Sequence, residues 1–369
     1  MEKDNKINIL IDCHKFDEDF QGITSYIQGL YCELVKDTRF HYYFVSYNNE
    51  LIENIFGKND NITYLKFISK NKWIRLLVDL PLKIIKNNIK IAHFQYVVPP
   101  IKFCKYIVTI HDVLFLDFPQ FFDKKYKIKN NFLFKNSARI SEIVLTVSEY
   151  SKQRIQKHYR LKNEIYVVPN AINAVFLNQK DKQQSKLFIN EKFKIQKYFL
   201  LVSRIEPRKN HLLVLKTFVE QNYFLNYNLV LIGKRDLFYA EFENYFNQLS
   251  KEIKNKIFII SNIKESDLYE FYNAAEIFIY PSFAEGFGIP PLESLALKTP
   301  TICSNTTAMS DYTFLNKFLF NPYDKKDLHL KINFALSNPF PEFIAEKSLK
   351  VYNWKNSAKK HIEIIKRNE

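Results

Sequence analysis

The chain has 369 residues, and its hydrophobic content of 47% is enough to pack the cores of two domains. No apolar run reaches the roughly 20 residues that span a bilayer, and the first residues lack the apolar core of a secretion signal. The four cysteines, at positions 13, 32, 104 and 303, show no paired spacing, which argues against a zinc site or a disulfide framework. We therefore expect a cytoplasmic protein with buried thiols.

The formal net charge of +15 suggests an acidic partner, either nucleic acid or an anionic membrane surface. Low-GC coding offers another explanation, because it also enriches Lys, Asn, Ile, Phe and Tyr. Two segments, 70–90 with Trp73 and 121–129, mix basic and apolar residues as interfacial segments do. Amphipathic helices packed on a sheet show the same pattern. These segments predict peripheral contact with the inner face of the cytoplasmic membrane.

Short apolar strands alternate with helical stretches along the whole chain, which is typical of parallel α/β units. The predicted strands are 7–13, 42–47, 62–67, 91–96, 105–111, 143–148 and 165–169 in the first half, and 198–203, 228–233, 257–262, 277–281 and 301–304 in the second. Residues 177–196 are polar and weakly periodic, so we predict a linker there. No internal repeat or low-complexity tract interrupts this order.

The strand Ile107-Val-Thr-Ile-His-Asp112 presents His111 at its carboxyl end, where open α/β sheets bind ligands. His111 is a candidate catalytic contact, although a hydrogen-bonded structural histidine is the plainer interpretation. Asp112 either orients its imidazole or caps the next segment, and the sequence leaves both open.

A second strand, Tyr198-Phe-Leu-Leu-Val-Ser-Arg-Ile-Glu-Pro-Arg-Lys-Asn-His211, runs into a basic turn. Arg204 and Lys209 would stand beyond the carboxyl end of this strand, where two fixed cations can stabilise a diphosphate. Ordinary surface cations on a solvated turn are the alternative. Asn210 is a candidate cap for the following helix.

The segment Glu285-Gly-Phe-Gly-Ile-Pro-Pro-Leu-Glu293 follows the buried strand Ile277-Phe-Ile-Tyr-Pro281 and opens a helix. Prolines suit the first helical turn, and a glycine turn before a helix N-terminus forms an anion-binding corner. The two carboxylates would repel a phosphate, so hydroxyl groups of a ribose or sugar are their natural partners. The plainer interpretation is that Glu293 serves the helix dipole and Glu285 is a solvated loop residue.

The two motifs together resemble those of family-four, nucleotide-sugar-dependent glycosyltransferases with the GT-B fold, and the resemblance covers most of the chain. It implies an α/β fold of two Rossmann-like domains that face across a cleft. The implied domains are an acceptor-binding domain at 1–176, the linker at 177–196, a nucleotide-sugar-binding domain at 197–350 and a C-terminal helix at 351–369 that packs back on the first domain.

The resemblance also assigns roles to individual residues. Glu293 would hold the nucleotide ribose and Glu285 the donor sugar, while Arg204 and Lys209 would hold the diphosphate. The backbone near the sugar would belong to Gly286, Phe287, Gly288 and Ile289. His111 would lie beside the donor sugar and act with Arg204, Lys209 and Glu285 in catalysis.

Matches elsewhere are weaker. Gly22 resembles the family's glycine loop over donor and acceptor, where Gln21 replaces one of two usual glycines. The segment Val167-Val-Pro-Asn-Ala-Ile172, with Asn170, resembles the passage between the domains, but Ala171 stands where glycine is usual. Ser203 also replaces a glycine. These departures put the local loop geometry in doubt.

The resemblance implies transfer with retention of configuration, in which the departing diphosphate takes the acceptor proton. The triplet Asp17-Glu-Asp19 looks like a metal-binding motif but lies in the first loop, so we expect no metal and no cofactor beyond the nucleotide sugar. The form Glu206-Pro-Arg-Lys-Asn210 is similar to that of mannosyl- and rhamnosyltransferases of bacterial surface polysaccharides. It favours GDP-mannose or a related GDP-sugar, with a UDP-sugar as the alternative.

The expected acceptor is a lipid-linked or oligosaccharide molecule of lipopolysaccharide, O-antigen or capsule synthesis. A basic nucleic-acid-binding protein is a rival class, but no motif of that kind is present, and we expect no nucleic-acid partner. The other rival is an enzyme of the same fold that uses inorganic phosphate or a sugar phosphate, or a noncatalytic relative.

Overall fold

The computed structural model describes residues 6–17, 22–235 and 237–368. The chain forms two α/β units: the first ends at Ala171 and includes the C-terminal segment from Tyr352, and the second spans Ile172–Val351. The first unit therefore ends before the predicted limit of residue 176. Among the described residues, no helix is both long and apolar enough to cross a bilayer.

The first unit is built on seven parallel strands in the order β3-β2-β1-β4-β5-β6-β7. Their bounds are β1 (Ile7–Asp12), β2 (Phe40–Ser46), β3 (Ile62–Lys66), β4 (Ile91–Gln95), β5 (Lys105–Thr109), β6 (Ile143–Thr146) and β7 (Ile165–Val167). The central strands are apolar along their length because helices cover both faces of a parallel sheet. The strand order reverses between β1 and β4, and such a switch point opens a crevice at the carboxyl ends.

Within the described part of this unit, seven α-helices lie between or beside these strands. They are α1 (Gly22–Leu34), α2 (Asn49–Phe56), α3 (Lys72–Ile74), α4 (Leu80–Lys86), α5 (Leu114–Asp117), α6 (Lys124–Ile140) and α7 (Glu149–Tyr159). A π-helical turn, Arg75–Asp79, joins α3 to α4, so that Lys72 to Lys86 form one continuous helical segment. Asn71 begins this segment, since its side chain accepts from the amides of Trp73 and Ile74.

The second unit contains six parallel strands in the order β10-β9-β8-β11-β12-β13. Their bounds are β8 (Tyr198–Val202), β9 (Asn228–Ile232), β10 (Ile257–Ile260), β11 (Ile277–Tyr280), β12 (Thr301–Ser304) and β13 (Leu319–Phe320). The switch point lies between β8 and β11. The basic turn follows β8 and the paired-acid loop follows β11, so the topology brings both to the same crevice.

The helices of the second unit are α8 (Lys182–Phe193), α9 (His211–Glu220), α10 (Ala240–Gln248), α11 (Lys251–Lys254), α12 (Glu265–Ala274), α13 (Ile289–Ala296), α14 (Lys325–Ser337) and α15 (Glu342–Val351). Helix α8 occupies the predicted linker and packs on α12. Lys192 contacts Asp267 of α12 at 2.8 Å, and the Ser185 hydroxyl donates to Glu270 of the same helix. A polar, weakly periodic segment thus forms a packed helix because its neighbour supplies acidic partners.

The last helix, α16 (Trp354–Arg367), belongs to the first unit, where it packs on α1. The Trp354 ring fills the space beside Gly29, because a Cβ at that glycine would lie 2.0 Å from the ring. Tyr26 meets the same indole edge to face at 6.2 Å between centroids. The predicted C-terminal helix therefore exists, and it supports the helix whose first residue is Gly22.

Candidate active site

Two loops of the second unit are tied together at the carboxyl ends of β8 and β11. The amide of Phe283 donates to the carbonyl of Arg208 at 2.9 Å, and the Arg208 guanidinium donates to the Ala284 carbonyl at 2.6 Å. Asn210 adopts a left-handed conformation, and its amide group donates to the carbonyls of Pro281 and Pro322. The sequence predicted that the Asn210 side chain caps α9. It does not, because its amide group is bound to these two carbonyls instead.

Lys209 and Glu285 form a buried ion pair within these loops. The Lys209 ammonium donates to Oε1 of Glu285 at 2.6 Å and to the Tyr280 hydroxyl at 3.1 Å. Burial raises the pKa of Glu285, but Lys209 and Arg208 outweigh this and lower it to about 2. Burial lowers the pKa of Lys209, against the opposing effect of Glu285. Glu285 is thus a charged partner of the basic turn rather than a solvated loop residue.

Arg208, which the sequence analysis did not single out, is the second cation of this cluster. Its side chain is 13% exposed and bridges Glu206 at 2.6 Å and Glu285 at 3.3 Å. Arg204 is instead 55% exposed and lies 3.5 Å from Glu206. The structure therefore places Lys209 and Arg208 against Glu285, and leaves the Arg204 guanidinium at the surface. The only sequence signal for Arg208 is its place between an acid and Lys209 in a turn opened by Pro207.

The N-terminus of α13 forms the other side of this crevice. Pro290 and Pro291 lie in its first turn as predicted, and no side chain caps it. Gly288 precedes Ile289 in a left-handed conformation with φ of +99°, and a Cβ there would lie 2.1 Å from Cε of Met309. Glycine is therefore required. Because the two prolines have no N–H, the amides that this helix start can present to anionic oxygens are those of Gly288 and Ile289.

The loop before α13 is held in place by hydroxyl groups. The Glu285 amide donates to Thr307 Oγ1 at 2.9 Å. The Tyr312 hydroxyl lies 3.2 Å from the Phe287 carbonyl and 2.9 Å from the Gly288 carbonyl. These hydrogen bonds therefore fix the conformation of the turn from Gly286 to Ile289.

Glu293 lies one turn into α13, and its carboxylate accepts from the Tyr272 hydroxyl at 2.8 Å. Burial raises its pKa to about 7, although this hydrogen bond acts in the opposite direction. The two acids of the motif therefore differ in electrostatic state. Glu285 is held ionised by two cations, whereas Glu293 changes protonation near neutral pH.

His111 lies at the carboxyl edge of the first unit's sheet. Its Nε2–H donates to the side-chain oxygen of Gln95, at the end of β4, over 2.8 Å, which leaves Nδ1 as the acceptor. Burial lowers the pKa of His111 to about 3, so the ring is neutral. The rings of Tyr26 and Tyr96 pack against it, with centroids 5.1 and 5.4 Å away. Gln95 is a further site residue that the sequence analysis did not identify.

The remaining predicted residues of the first unit have distinct surroundings. Asp112 accepts from the Leu114 amide at 3.1 Å, which favours the capping alternative. Asn170 is buried, and its side-chain oxygen has no hydrogen-bond partner among the described residues. Gly22 is the first residue of α1, and no described atom lies within 4 Å of a Cβ built on it.

The positions that depart from the family pattern have ordinary backbones. Neither Ala171 nor Ser203 adopts positive φ, so neither site requires glycine for its conformation. Gln21 lies outside the described residues, as do Glu18 and Asp19 of the acid triplet. Asp17 accepts from the Tyr47 amide at 3.1 Å. In the described ranges, no three His, Cys, Asp or Glu side chains are grouped so that they could hold a metal ion.

Comparison with known protein families gives two matches that lie one after the other along the chain. Residues 20–176 match Glycosyltransferase Family 4, and residues 180–361 match Glycosyl transferases group 1. The chain therefore carries glycosyltransferase domains of Family 4 and of group 1. The resemblance inferred from the paired-acid and basic motifs is confirmed.

Individual proteins agree with this assignment. The O-antigen chain mannosyltransferase RfbU of Salmonella typhimurium is 30% identical over 223 residues, which are 59% of this chain and 57% of that protein. The chain thus matches little more than half the length of this curated relative.

Solved structures show the same fold. A glycosyltransferase from Rickettsia africae superposes with a TM-score of 0.72 at 18% identity over 99% of both chains. HepE from Anabaena in complex with UDP-glucose gives a TM-score of 0.70 at 13% identity, over 98% of this chain and 100% of that one. The predicted GT-B fold is therefore confirmed.

Proposed function

We propose that the protein transfers mannose, or a related hexose, from a GDP-sugar to a lipid-linked or oligosaccharide acceptor of lipopolysaccharide, O-antigen or capsule synthesis. The observation that carries the proposal is the Lys209 ammonium, held by Glu285 and Tyr280 at the crevice of the second unit. An ammonium has three protons, and these two partners account for two of them. The third remains for a diphosphate oxygen of the donor.

The other donor contacts follow from the same crevice. The uncapped start of α13 supplies amides for oxygens, and Glu293 has a carboxylate for the ribose diol. Arg204, exposed and weakly paired, is able to turn toward a bound diphosphate. The mannosyl preference is supported by the similarity to RfbU, whose name gives that activity.

In the proposed reaction, an acceptor hydroxyl oxygen forms a bond to the anomeric carbon while the bond from that carbon to the diphosphate breaks. The hydroxyl proton passes to the departing diphosphate, whose added charge Lys209 and Arg204 stabilise. In this proposal His111 contacts the sugar as a hydrogen-bonding group. Because its imidazole is neutral, it moves no proton. The protein's main contributions are position and charge.

Retention of configuration and independence of metal are parts of this proposal that solution experiments test directly. Proton NMR of the first-formed product reports its anomeric configuration, which we expect to match that of the donor sugar. Transfer should also continue in EDTA, because fixed cations take the place of a metal at the diphosphate. Inverted product, or activity lost in EDTA and restored by manganese, contradicts the corresponding part.

A UDP-sugar is the second candidate donor, and it is supported by the name of the similar HepE structure, which contains UDP-glucose. Calorimetric titration with GDP, UDP, GDP-mannose and UDP-glucose separates the two. We expect the guanine nucleotides to bind more tightly. Lys209→Met should lose nucleotide binding, whereas Lys251→Met, an exposed lysine of the same unit, should retain it. Equal nucleotide binding by both variants contradicts the proposed site.

A further inference from the structure

The helical segment Lys72–Lys86 of the first unit has an unusual distribution of polarity. Its inward face carries two charged residues, Arg75 and Asp79, which are 4% and 0% exposed. Its outward face carries six large apolar side chains that are 42–63% exposed: Trp73, Ile74, Leu77, Val78, Leu82 and Ile85. We call these six residues the apolar ridge. The buried Leu76, Leu80 and Ile84 fill the rest of the inward face, so the segment is apolar on both faces, whereas a helix on a water-facing surface normally exposes polar side chains.

The inward charges fix the segment to the sheet. The Arg75 guanidinium pairs with Asp12, at the end of β1, and lies 2.7 Å from Nδ1 of His14. The Asp79 carboxylate accepts from the Ile68 amide at 2.7 Å and pairs with Lys83. Each buried charge therefore has a partner of opposite sign or a donor. The helical segment that carries the apolar ridge is therefore fixed to the rest of the first unit by these buried contacts.

Helix α6 covers the same core as this segment and also exposes apolar and basic side chains. Leu76 and Leu80 of the segment and Phe134 and Ala138 of α6 belong to one buried apolar cluster. Helix α6 exposes Ile128 and Phe132 to 66% and 67%. Its first turns also carry the exposed Lys124, Lys125 and Lys129. The two basic segments of the sequence thus both combine lysines with exposed apolar side chains, on helices that cover one core.

We propose that the apolar ridge and the exposed face of α6 dock on an anionic lipid bilayer. Aliphatic and Trp side chains would enter the headgroup region, and the lysines would contact lipid phosphates, as in interfacial helices. Lysine is depleted at protein–protein interfaces, which favours lipid over a protein partner. This inference extends the proposed function, since it rests on that function only for the lipid-linked nature of the acceptor.

Vesicle sedimentation of the full-length protein tests the inference. We expect binding to phosphatidylcholine vesicles that contain phosphatidylglycerol, weaker binding as salt is raised, and little binding to phosphatidylcholine alone. The ridge variant Leu77→Ser/Leu82→Ser/Ile85→Ser should bind the anionic vesicles at least about tenfold less. A matched control, Leu187→Ser/Leu225→Ser/Leu330→Ser, replaces exposed leucines of the second unit and should bind like the wild type.

The basic part of the surface is tested separately. Lys125→Glu/Lys129→Glu should weaken binding to anionic vesicles, whereas Lys251→Glu/Lys347→Glu in the second unit should not. Trp73 is one of only two tryptophans in the chain, so its fluorescence reports insertion. A blue shift on adding anionic vesicles should occur in the wild type and be absent in Trp73→Phe.

The outcomes separate the inference from the proposed function. The ridge variant should keep wild-type circular dichroism, GDP binding and transfer to a water-soluble acceptor. Wild-type vesicle binding by the ridge variant overturns the inference, as does a change of oligomeric state in that variant without loss of vesicle binding. Failure of the wild type to bind any nucleotide sugar contradicts the proposed function but leaves the vesicle result standing.

Discussion

The ammonium of Lys209 lies 2.6 Å from Oε1 of Glu285, and both side chains are largely withdrawn from solvent. This pair joins the basic turn after β8 to the acidic loop after β11 at the switch point of the sheet. An ion pair thus links two motifs that lie far apart in the sequence. The acid fixes the position of the cation that we propose holds the diphosphate.

Removing one partner of this pair should lower both stability and nucleotide affinity. Lys209→Met leaves Glu285 buried with only Arg208 as its cation, and we expect a loss of about 2 kcal/mol in the free energy of unfolding. The double variant Lys209→Met/Glu285→Gln should be more stable than Lys209→Met but still fail to bind GDP. Urea unfolding and calorimetric titration measure the two effects. If the double variant is the less stable of the two, the pair is not coupled as described.

Arg204 and Arg208 should behave differently although they lie close together in sequence. Arg208→Ala removes a guanidinium that bridges Glu206, Glu285 and the Ala284 carbonyl, so thermal stability should fall. Arg204→Ala removes a 55% exposed side chain, and should weaken GDP binding while leaving the melting temperature unchanged. Thermal melts with and without GDP compare them. Unchanged GDP binding in Arg204→Ala would remove that residue from the donor site.

Glu293 should make the stability of the protein depend on pH. Its pKa is 4.5 in an ordinary environment and about 7 in the fold, so the folded state holds the proton more tightly. The resulting stabilisation is complete below pH 4.5 and is lost as pH rises through about 7, with an amplitude of about 3 kcal/mol.

The Glu293→Gln variant provides the control for this pH dependence. It cannot ionise, so the decline in melting temperature between pH 4.5 and 7 should flatten. Glu285 has the opposite sign, because its stabilisation is present above pH 4.5 and is lost as pH falls through about 2. Glu285 therefore does not change the melting temperature between pH 4.5 and 7. Identical pH profiles for the wild type and Glu293→Gln would contradict the assignment.

Gln95 should act on the reaction through His111. Gln95→Leu removes the acceptor that orients the His111 Nε2–H, and we expect about tenfold slower turnover with little change in the KM for the donor. Gln95→Glu restores an acceptor but adds a charge that raises the pKa of His111. Its pH–rate profile should then show an inflection that the wild type lacks. Gln183→Leu, an exposed glutamine in α8, serves as the control.

The strands and the local structure of the paired-acid segment were predictable because their signals are local. All twelve predicted strands occur within a few residues of their expected bounds, since short apolar runs ended by proline or polar residues mark buried parallel strands. Strand β13 was missed because Leu319 and Phe320 alone form it. From the sequence of residues 285–293, the turn, the position of the two prolines and the start of the helix were also predicted correctly.

The missed features depend on contacts between distant segments. Helix α8 was taken for a linker because the partners of its polar residues Ser185 and Lys192 are acids of α12, far along the chain. Arg208 and Gln95 became visible as site residues only when the fold brought them to Glu285 and His111. Asn210 was predicted as a cap, but the carbonyls of Pro281 and Pro322 engage it instead. No sequence pattern reports such partners.

A crystal structure of the protein with GDP-mannose or GDP tests the central claim most directly. We predict a diphosphate oxygen within hydrogen-bond distance of the Lys209 ammonium, with the ribose hydroxyls at Glu293. A nucleotide bound elsewhere, with the Lys209–Glu285 crevice empty, would contradict the account.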